Sequence, residues 1–192
     1  MNFDEITKLI HDRRSIFPKV FTGERIADEL ILQILDNANQ APSHKHTEPW
    51  RFHIITNEKK NQLGKFFQKI YQENVTGENF KQRKHDKFIM KTELSSHILA
   101  ICMQRDPNES IPEWEEIAAV ACAVQNIYLS VTAAGLGGYW SSPKLMIDHI
   151  SDFINLEDDE KCLGFFYLGV PKEGLKLDVT KESLKGKVKW YS

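Results

Sequence analysis

The sequence predicts an α+β fold, because segments with helical periodicity alternate with a few short apolar strands whose order is too irregular for a doubly wound parallel sheet. Helical spacing of apolar residues marks the stretches near residues 3–13, 30–41 and 113–134. Apolar runs bounded by turn residues mark strands near 50, 97, 138 and 162. At 192 residues the chain has the size of one domain, so residues 1–192 are read as a single unit with its own core.

Asn2 with Glu5 three residues later has the spacing of a capping box, and Phe3, Ile6, Leu9 and Ile10 then recur at helical spacing up to Arg13-Arg14-Ser15. Phe17-Pro18 and Thr22-Gly23 punctuate a loop. Leu30, Ile31, Ile34, Leu35 and Ala38 form one face of a second helix that Pro42 terminates. A loop from Ala41 to Pro49 leads into a strand at 50–56, WRFHIIT. Residues 57–91 are polar and helical in tendency. Their basic run, Lys81 to Lys87, is read as a solvated face, since acids surround it and no aromatic residues interleave with it. The run HILAICM at 97–103 reads as a buried strand. A long central helix starts at Glu113, carries Ile117, Val120, Ala121, Val124, Ile127, Tyr128 and Val131 as its stripe, and stops at Gly135 and Gly137. Residues 138–142 read as a short strand, with Ser142 as the N-cap of a following helix and Pro143 as its first residue. CLGFFYLG at 162–169 is a further buried strand, and the tail from Lys172 to Ser192 is basic.

With 25 basic and 27 acidic residues the formal net charge is −2, too weak a field to hold a polyanion. Neither nucleic acid nor a membrane surface is an expected partner, and a small molecule is. The N-terminus carries acids and lacks the apolar core of a signal peptide, and no continuous apolar run approaches the ~18 residues of a membrane span, so a cytoplasmic setting is expected. Cys102, Cys122 and Cys162 lie in apolar segments without C-x-x-C spacing and are expected to be buried, reduced thiols. His44 and His46 could ligate a metal, but Lys45 between them opposes a cation and no third ligand is spaced nearby, so no metal is expected. Walker, G-x-G-x-x-G and H-E-x-x-H patterns are absent.

Five segments carry chemistry when taken together: Arg13-Arg14-Ser15, Ala41-Pro42-Ser43-His44, Pro49-Trp50-Arg51-Phe52, Gly138-Tyr139-Trp140-Ser141-Ser142 and Leu168-Gly169-Val170-Pro171. In this order and with these separations the chain resembles the FMN-dependent nitroreductase family, in particular its compact branch of NAD(P)H nitroreductases. The arginine pair makes sense on its own terms, since an anion placed near the negative end of a helix needs fixed cations.

The resemblance implies a central, mostly antiparallel sheet flanked by helices. It also implies a homodimer with intertwined tails that holds FMN between its subunits. By the same resemblance, Arg13, Arg14 and Ser15 contact the flavin phosphate and pyrimidine edge. Pro42, Ser43 and His44, with His46 beside them, come from the partner subunit. Gln40 stands where related sequences often have a basic residue and would contribute only a neutral amide. Trp140, Ser141 and Ser142 line the flavin, with Ser141 in place of the family's arginine, and Lys181 is the phosphate ligand from the tail, Lys189 being a second candidate. No catalytic side chain is implied. The implied activity is hydride transfer from NADH or NADPH through flavin N5 to a nitroaromatic or quinone in a ping-pong cycle. Reductive dehalogenation or enoate reduction with the same cofactor, and a non-catalytic FMN storage module, are the alternatives.

Overall fold

In the computed structural model, which describes residues 2–175 and 180–191, the capping box at the N-terminus is formed. Asn2 Oδ1 accepts the Glu5 N–H and the Glu5 carboxylate accepts the Asn2 N–H, both at 2.9 Å, and helix α1 runs Phe3–Asp12. The chain continues through α2 (Asp28–Asn39), β1 (Trp50–Ile55), α3 (Asn57–Asn74), α4 (Gln82–Leu94) and β2 (His97–Gln104). Helix α5 (Glu113–Ala133), β3 (Gly137–Ser141), α6 (Lys144–Asp148) and β4 (Glu160–Gly169) complete the order. The strands form one sheet in the order β1-β2-β4-β3, and every neighbouring pair is antiparallel. This is the α+β architecture expected, with helices on both faces of the sheet.

Strand β2 explains the layering. Its residues alternate between two cores: Leu99, Ile101 and Met103 pack with α2 and α5, whereas Ile98, Ala100 and Cys102 pack with α3, α4 and α6. A strand covered on both faces reads as an unbroken apolar run, and HILAICM does. Strand β4 follows the same alternation through Phe165 and Tyr167 on one side and Phe166 and Leu168 on the other. A bulge opposite Ile101 and Cys102 resets its register, so that Ile101 faces Gly164 and Cys102 faces Cys162.

Four expectations need correction. Ile117 and Ala121, read as part of the stripe of α5, are exposed, because they lie on the side of that helix that also carries Trp114, Ala118 and Cys122. Ser142 is not the N-cap of α6: Pro143 takes that position, no side chain caps the helix, and Pro143 O accepts the N–H groups of Met146 and Ile147. Cys122 is exposed, because it falls between the buried Ala119 and Ala123 of α5 on the side turned away from the sheet; Cys102 and Cys162 are buried free thiols as expected. Helix α5, 21 residues long, has the length and apolarity of a membrane span despite lacking a continuous apolar run. It nonetheless opens with Glu113, Glu115 and Glu116 and buries Val120, Val124, Ile127 and Val131 in the core.

Phe21 closes the sheet end that carries β3. It is fully buried, bridges to Pro171, and lies against the paired glycines Gly137 and Gly169, where an added Cβ would collide with its ring. Gly137→Ala should therefore lower stability by about 1–3 kcal/mol through overpacking. Urea unfolding measures this, and a midpoint equal to that of the unaltered protein would show that the ring is free to turn aside.

Candidate functional site

Helix α1 ends on the arginine pair. Arg13 caps the helix, donating its N–H to Leu9 O at 3.1 Å, and its guanidinium lies 5.1 Å from the centre of the Tyr128 ring. Arg14 Nη1 donates to Arg13 O at 2.9 Å and to the His11 carbonyl, so the exposed carbonyls of the helix end fix this side chain.

The next residue joins α1 to the sheet. Ser15 Oγ lies 3.2 Å from the Tyr128 hydroxyl, and the backbone N–H of Trp140 donates to that same hydroxyl at 2.8 Å. Ile16 N–H donates to Gly138 O at 2.8 Å. The Arg13-Arg14-Ser15 and Trp140-Ser141 segments, far apart in sequence, are thus held together by a phenol from α5. Two buried donors of these segments, Arg14 Nε at the end of α1 and Trp140 Nε1 beside Gly164 of β4, have no hydrogen-bond partner among the described residues. Buried donors are normally satisfied, so each is open to an acceptor atom of a ligand. The cationic Arg13 and Arg14 and the exposed Ser15 hydroxyl add to a shell of donors with positive charge, which is what a phosphorylated flavin requires.

Beside this junction Phe17 meets Tyr139 edge to face at 5.0 Å, and the ammonium of Lys91 lies 5.2–5.4 Å from the ring centres of Phe17, Tyr139 and Tyr167. Lys91 has no ion pair among the described residues, and burial, with Lys87 and Lys84 nearby, pulls it down to about 8. A cleft of about 700 Å³ opens next to Phe17, lined also by Lys19, Arg83, Asp86, Lys87 and Met90. Two cations of the basic run on α4, read from sequence as a solvated face, therefore border a cavity.

The second predicted segment lies elsewhere on the same subunit. The loop with Pro42, Ser43, His44 and His46 packs at the start of α5, where His44 Nδ1 is 2.5 Å from Glu115 Oε2 and Lys45 Nζ donates to Ser110 O at 2.8 Å. Ser43 Oγ accepts the Glu48 N–H at 3.2 Å, and Gln40 caps α2 with its side chain exposed. Together with Trp114, Ala118 and Cys122 the loop borders a depression of about 570 Å³. Glu115 and Tyr128 are separated along α5 by roughly 20 Å at 1.5 Å per residue. One subunit therefore brings Arg13, Arg14, Ser15, Trp140 and Ser141 together but leaves the His44 loop at the far end of the helix. Ser142 is exposed just beyond β3, and Lys181 and Lys189 are exposed in the tail. Sequence reading missed Tyr128 and Lys91: the first was counted only as an apolar stripe position, and the second has no motif around it.

The family now follows from comparison. The Nitroreductase family model matches residues 10–170, and the chain belongs to the nitroreductase family. Among its relatives, "Putative NAD(P)H nitroreductase YfhC" of Bacillus subtilis (strain 168) is 30% identical over 170 residues, covering 86% of this chain and 84% of the relative. "Iodotyrosine deiodinase" of Hydra vulgaris is 25% identical over 183 residues, covering 86% of this chain and 64% of the relative. The fold matches a nitroreductase-like family protein from Bacillus cereus with a TM-score of 0.79 at 22% identity, covering 100% of this chain and 98% of that one. It also matches a nitroreductase with bound FMN from Bacteroides fragilis with a TM-score of 0.75 at 19% identity, each chain covered in full at 100%.

The depressed Lys91 predicts a pH-dependent stability. A lysine held at about 8 in the folded protein and near 10.5 unfolded destabilises fully below pH 8, and the penalty fades between pH 8 and 10.5. Lys91→Met should stabilise the protein at pH 7, with the gain shrinking as pH rises to 9.5. Urea titrations across that range test it; a gain independent of pH would assign the effect to packing alone.

Proposed function

We propose that residues 1–192 form one FMN-binding domain of a homodimeric oxidoreductase that passes hydride from NADH or NADPH to a small electron-poor acceptor, a nitroaromatic or a quinone. The observation that carries the reading is the Tyr128 junction, where Ser15 and Trp140 share one hydroxyl and each of the two segments so joined carries an unpartnered buried donor. Arg13, Arg14 and Ser15 would hold the phosphate and pyrimidine edge, and Trp140, Ser141 and Ser142 would line the ring system. When bound, FMN supplies the hydride chemistry, accepting two electrons from the nicotinamide and releasing them to the acceptor. The protein groups bind and orient: Tyr128 fixes the two segments, and the cations of the Phe17 cleft suit the pyrophosphate of a nicotinamide dinucleotide.

The dimer is supported by the separation of the two segments along α5, since the Pro42-Ser43-His44 loop with His46 can reach this junction only from a second copy. Apolar side chains without cover point the same way: Phe3, Ile6 and Ile10 on α1, Trp114 and Ile117 on α5, and Trp190 and Tyr191 in the tail, the last two 93% and 91% exposed. The exposed tail is available to intertwine with a partner and to bring Lys181 or Lys189 to the phosphate, while Gln40 would add only an amide contact. Free buried thiols and balanced charge suit a cytoplasmic setting. The deiodinase relatives favour reductive dehalogenation as a second reading, which turnover of halogenated against nitro substrates separates.

Arg13→Ala should weaken FMN binding about ten- to a hundredfold through loss of a charge-assisted hydrogen bond. Fluorescence titration of flavin onto the stripped protein reports this, and unchanged affinity would leave Arg13 as a helix cap. Mixing Arg13→Ala and His44→Ala subunits should restore one intact site per mixed dimer, and flavin binding no better than in either parent would confine the site to one subunit. Initial rates with donor and acceptor should give parallel double-reciprocal lines, as when both use one site in turn. Intersecting lines would reject that alternation, and bound flavin that stays oxidised under either nicotinamide without oxygen would mark a storage module.

A further inference from the structure

The face of the sheet opposite Tyr128 and Trp140 holds a cluster that neither the family motifs nor the proposed chemistry uses. His53 on β1, Cys102 on β2 and Glu160 on β4 place their nitrogen, sulfur and oxygen ligand atoms all within 4.8 Å of one another. Register explains the convergence: Cys102 faces Cys162 across β2 and β4, Glu160 is two residues from Cys162 on the same face, and His53 projects from the neighbouring strand. The Glu160 side chain is 1% exposed and that of His53 30%, so the cluster is buried at its base and open at the imidazole.

The imidazole and the carboxylate are already oriented, and the thiol has to give up its proton. His53 Nε2 is 2.5 Å from Glu160 Oε1, and Glu160 Oε2 accepts the Glu157 N–H at 3.0 Å, which fixes the carboxylate. Burial pushes Glu160 up, but the hydrogen bonds from His53 and Glu157 outweigh it and keep the carboxylate below its ordinary range. The hydrogen bond with Cys162, burial and the Glu160 carboxylate together hold the Cys102 thiol far above the usual thiol range, so it is protonated without a cation nearby.

We propose that His53, Cys102 and Glu160 bind a zinc ion that ties β1, β2 and β4 together, with a water molecule in the fourth position. Zinc takes nitrogen, sulfur and carboxylate oxygen at about 2.0–2.3 Å in a tetrahedron, which puts ligand atoms roughly 3.5 Å apart. The cluster needs only a small opening of the His53–Glu160 contact to reach that spacing. A thiolate with an imidazole and a carboxylate suits zinc over magnesium or calcium, which prefer oxygen donors. Binding drives the Cys102 proton to solvent, and the thiolate and carboxylate then balance two positive charges that burial would otherwise penalise.

The test uses the flavin-loaded protein, equilibrated with excess zinc chloride, desalted and assayed for zinc by mass spectrometry. About one zinc per chain is expected, falling more than tenfold in His53→Gln and in Cys102→Ser. Cys102 lies in the core and its variant can misfold; His53 is partly exposed, so His53→Gln with unchanged flavin content and circular dichroism gives the decisive comparison. Less than about one-tenth zinc per chain in the unaltered protein, or full retention by folded His53→Gln, would reduce the cluster to a buried hydrogen-bonded pair.

Discussion

The hydroxyl of Tyr128 is the point on which the site depends. It accepts the Trp140 N–H and meets Ser15 Oγ, so one buried oxygen joins the end of α1, the C-terminal part of α5 and strand β3. Its ring is used as well: Phe166 packs against it edge to face at 4.7 Å on one side, and the Arg13 guanidinium lies over it. A phenylalanine would keep the packing and lose the junction. That division between ring and hydroxyl is why a residue indistinguishable from its apolar neighbours in a helical stripe carries the placement of two motif segments.

The length of α5 sets the next constraint. Its apolar stripe must run the full width of the sheet to cover Leu99, Ile101, Met103 and Phe166, so its two ends lie on opposite sides of the subunit. Arg13 and Ser15 gather at one end and His44 at the other. The same burial that stabilises the core therefore keeps the two groups of residues apart within one chain. Dimerisation in this reading is a consequence of core packing, because a shorter helix would close the site inside a subunit and leave part of the sheet uncovered.

What the sequence disclosed depended on how local the physics is. The capping box of Asn2 and Glu5, the doubly buried β2 and the Val120, Val124, Ile127, Tyr128 and Val131 part of the α5 stripe are written in residues a few positions apart and are legible in the sequence, whereas Ile117 and Ala121 fall on the exposed side of that helix. The Pro143 cap was misplaced by one residue, since a prolyl carbonyl can start a helix as well as a serine can and leaves no side-chain signature. Cys122 misled because an apolar neighbourhood on a helix says nothing about which face a given residue occupies. The His53, Cys102 and Glu160 cluster was not legible, because its ligands come from three strands and acquire their spacing only through sheet register and a bulge. The H-x-H pair that did look like a metal motif is instead spread over a loop, with His44 drawn to Glu115.

The unpartnered donors of the two joined segments link folding to occupancy. A buried N–H without an acceptor costs about 1–3 kcal/mol, and Arg14 Nε and Trp140 Nε1 lie in segments that the Tyr128 hydroxyl brings together. A ligand that accepts from either relieves that penalty only in the folded state, so it stabilises the fold beyond what its own contacts with solvent-facing groups would supply. The same arithmetic governs which ligand is held. A shell of donors with Ser141 in place of a cation attracts a doubly charged phosphate less strongly than one with a third arginine, which shifts the burden of charge compensation onto Arg13 and Arg14. Arg14 is already committed through Nη1 to the carbonyls of the helix end. Arg13, held only by its backbone cap and the face of the Tyr128 ring, keeps its guanidinium donors without a partner among the described residues, and the proposed reading therefore assigns the anion mainly to it.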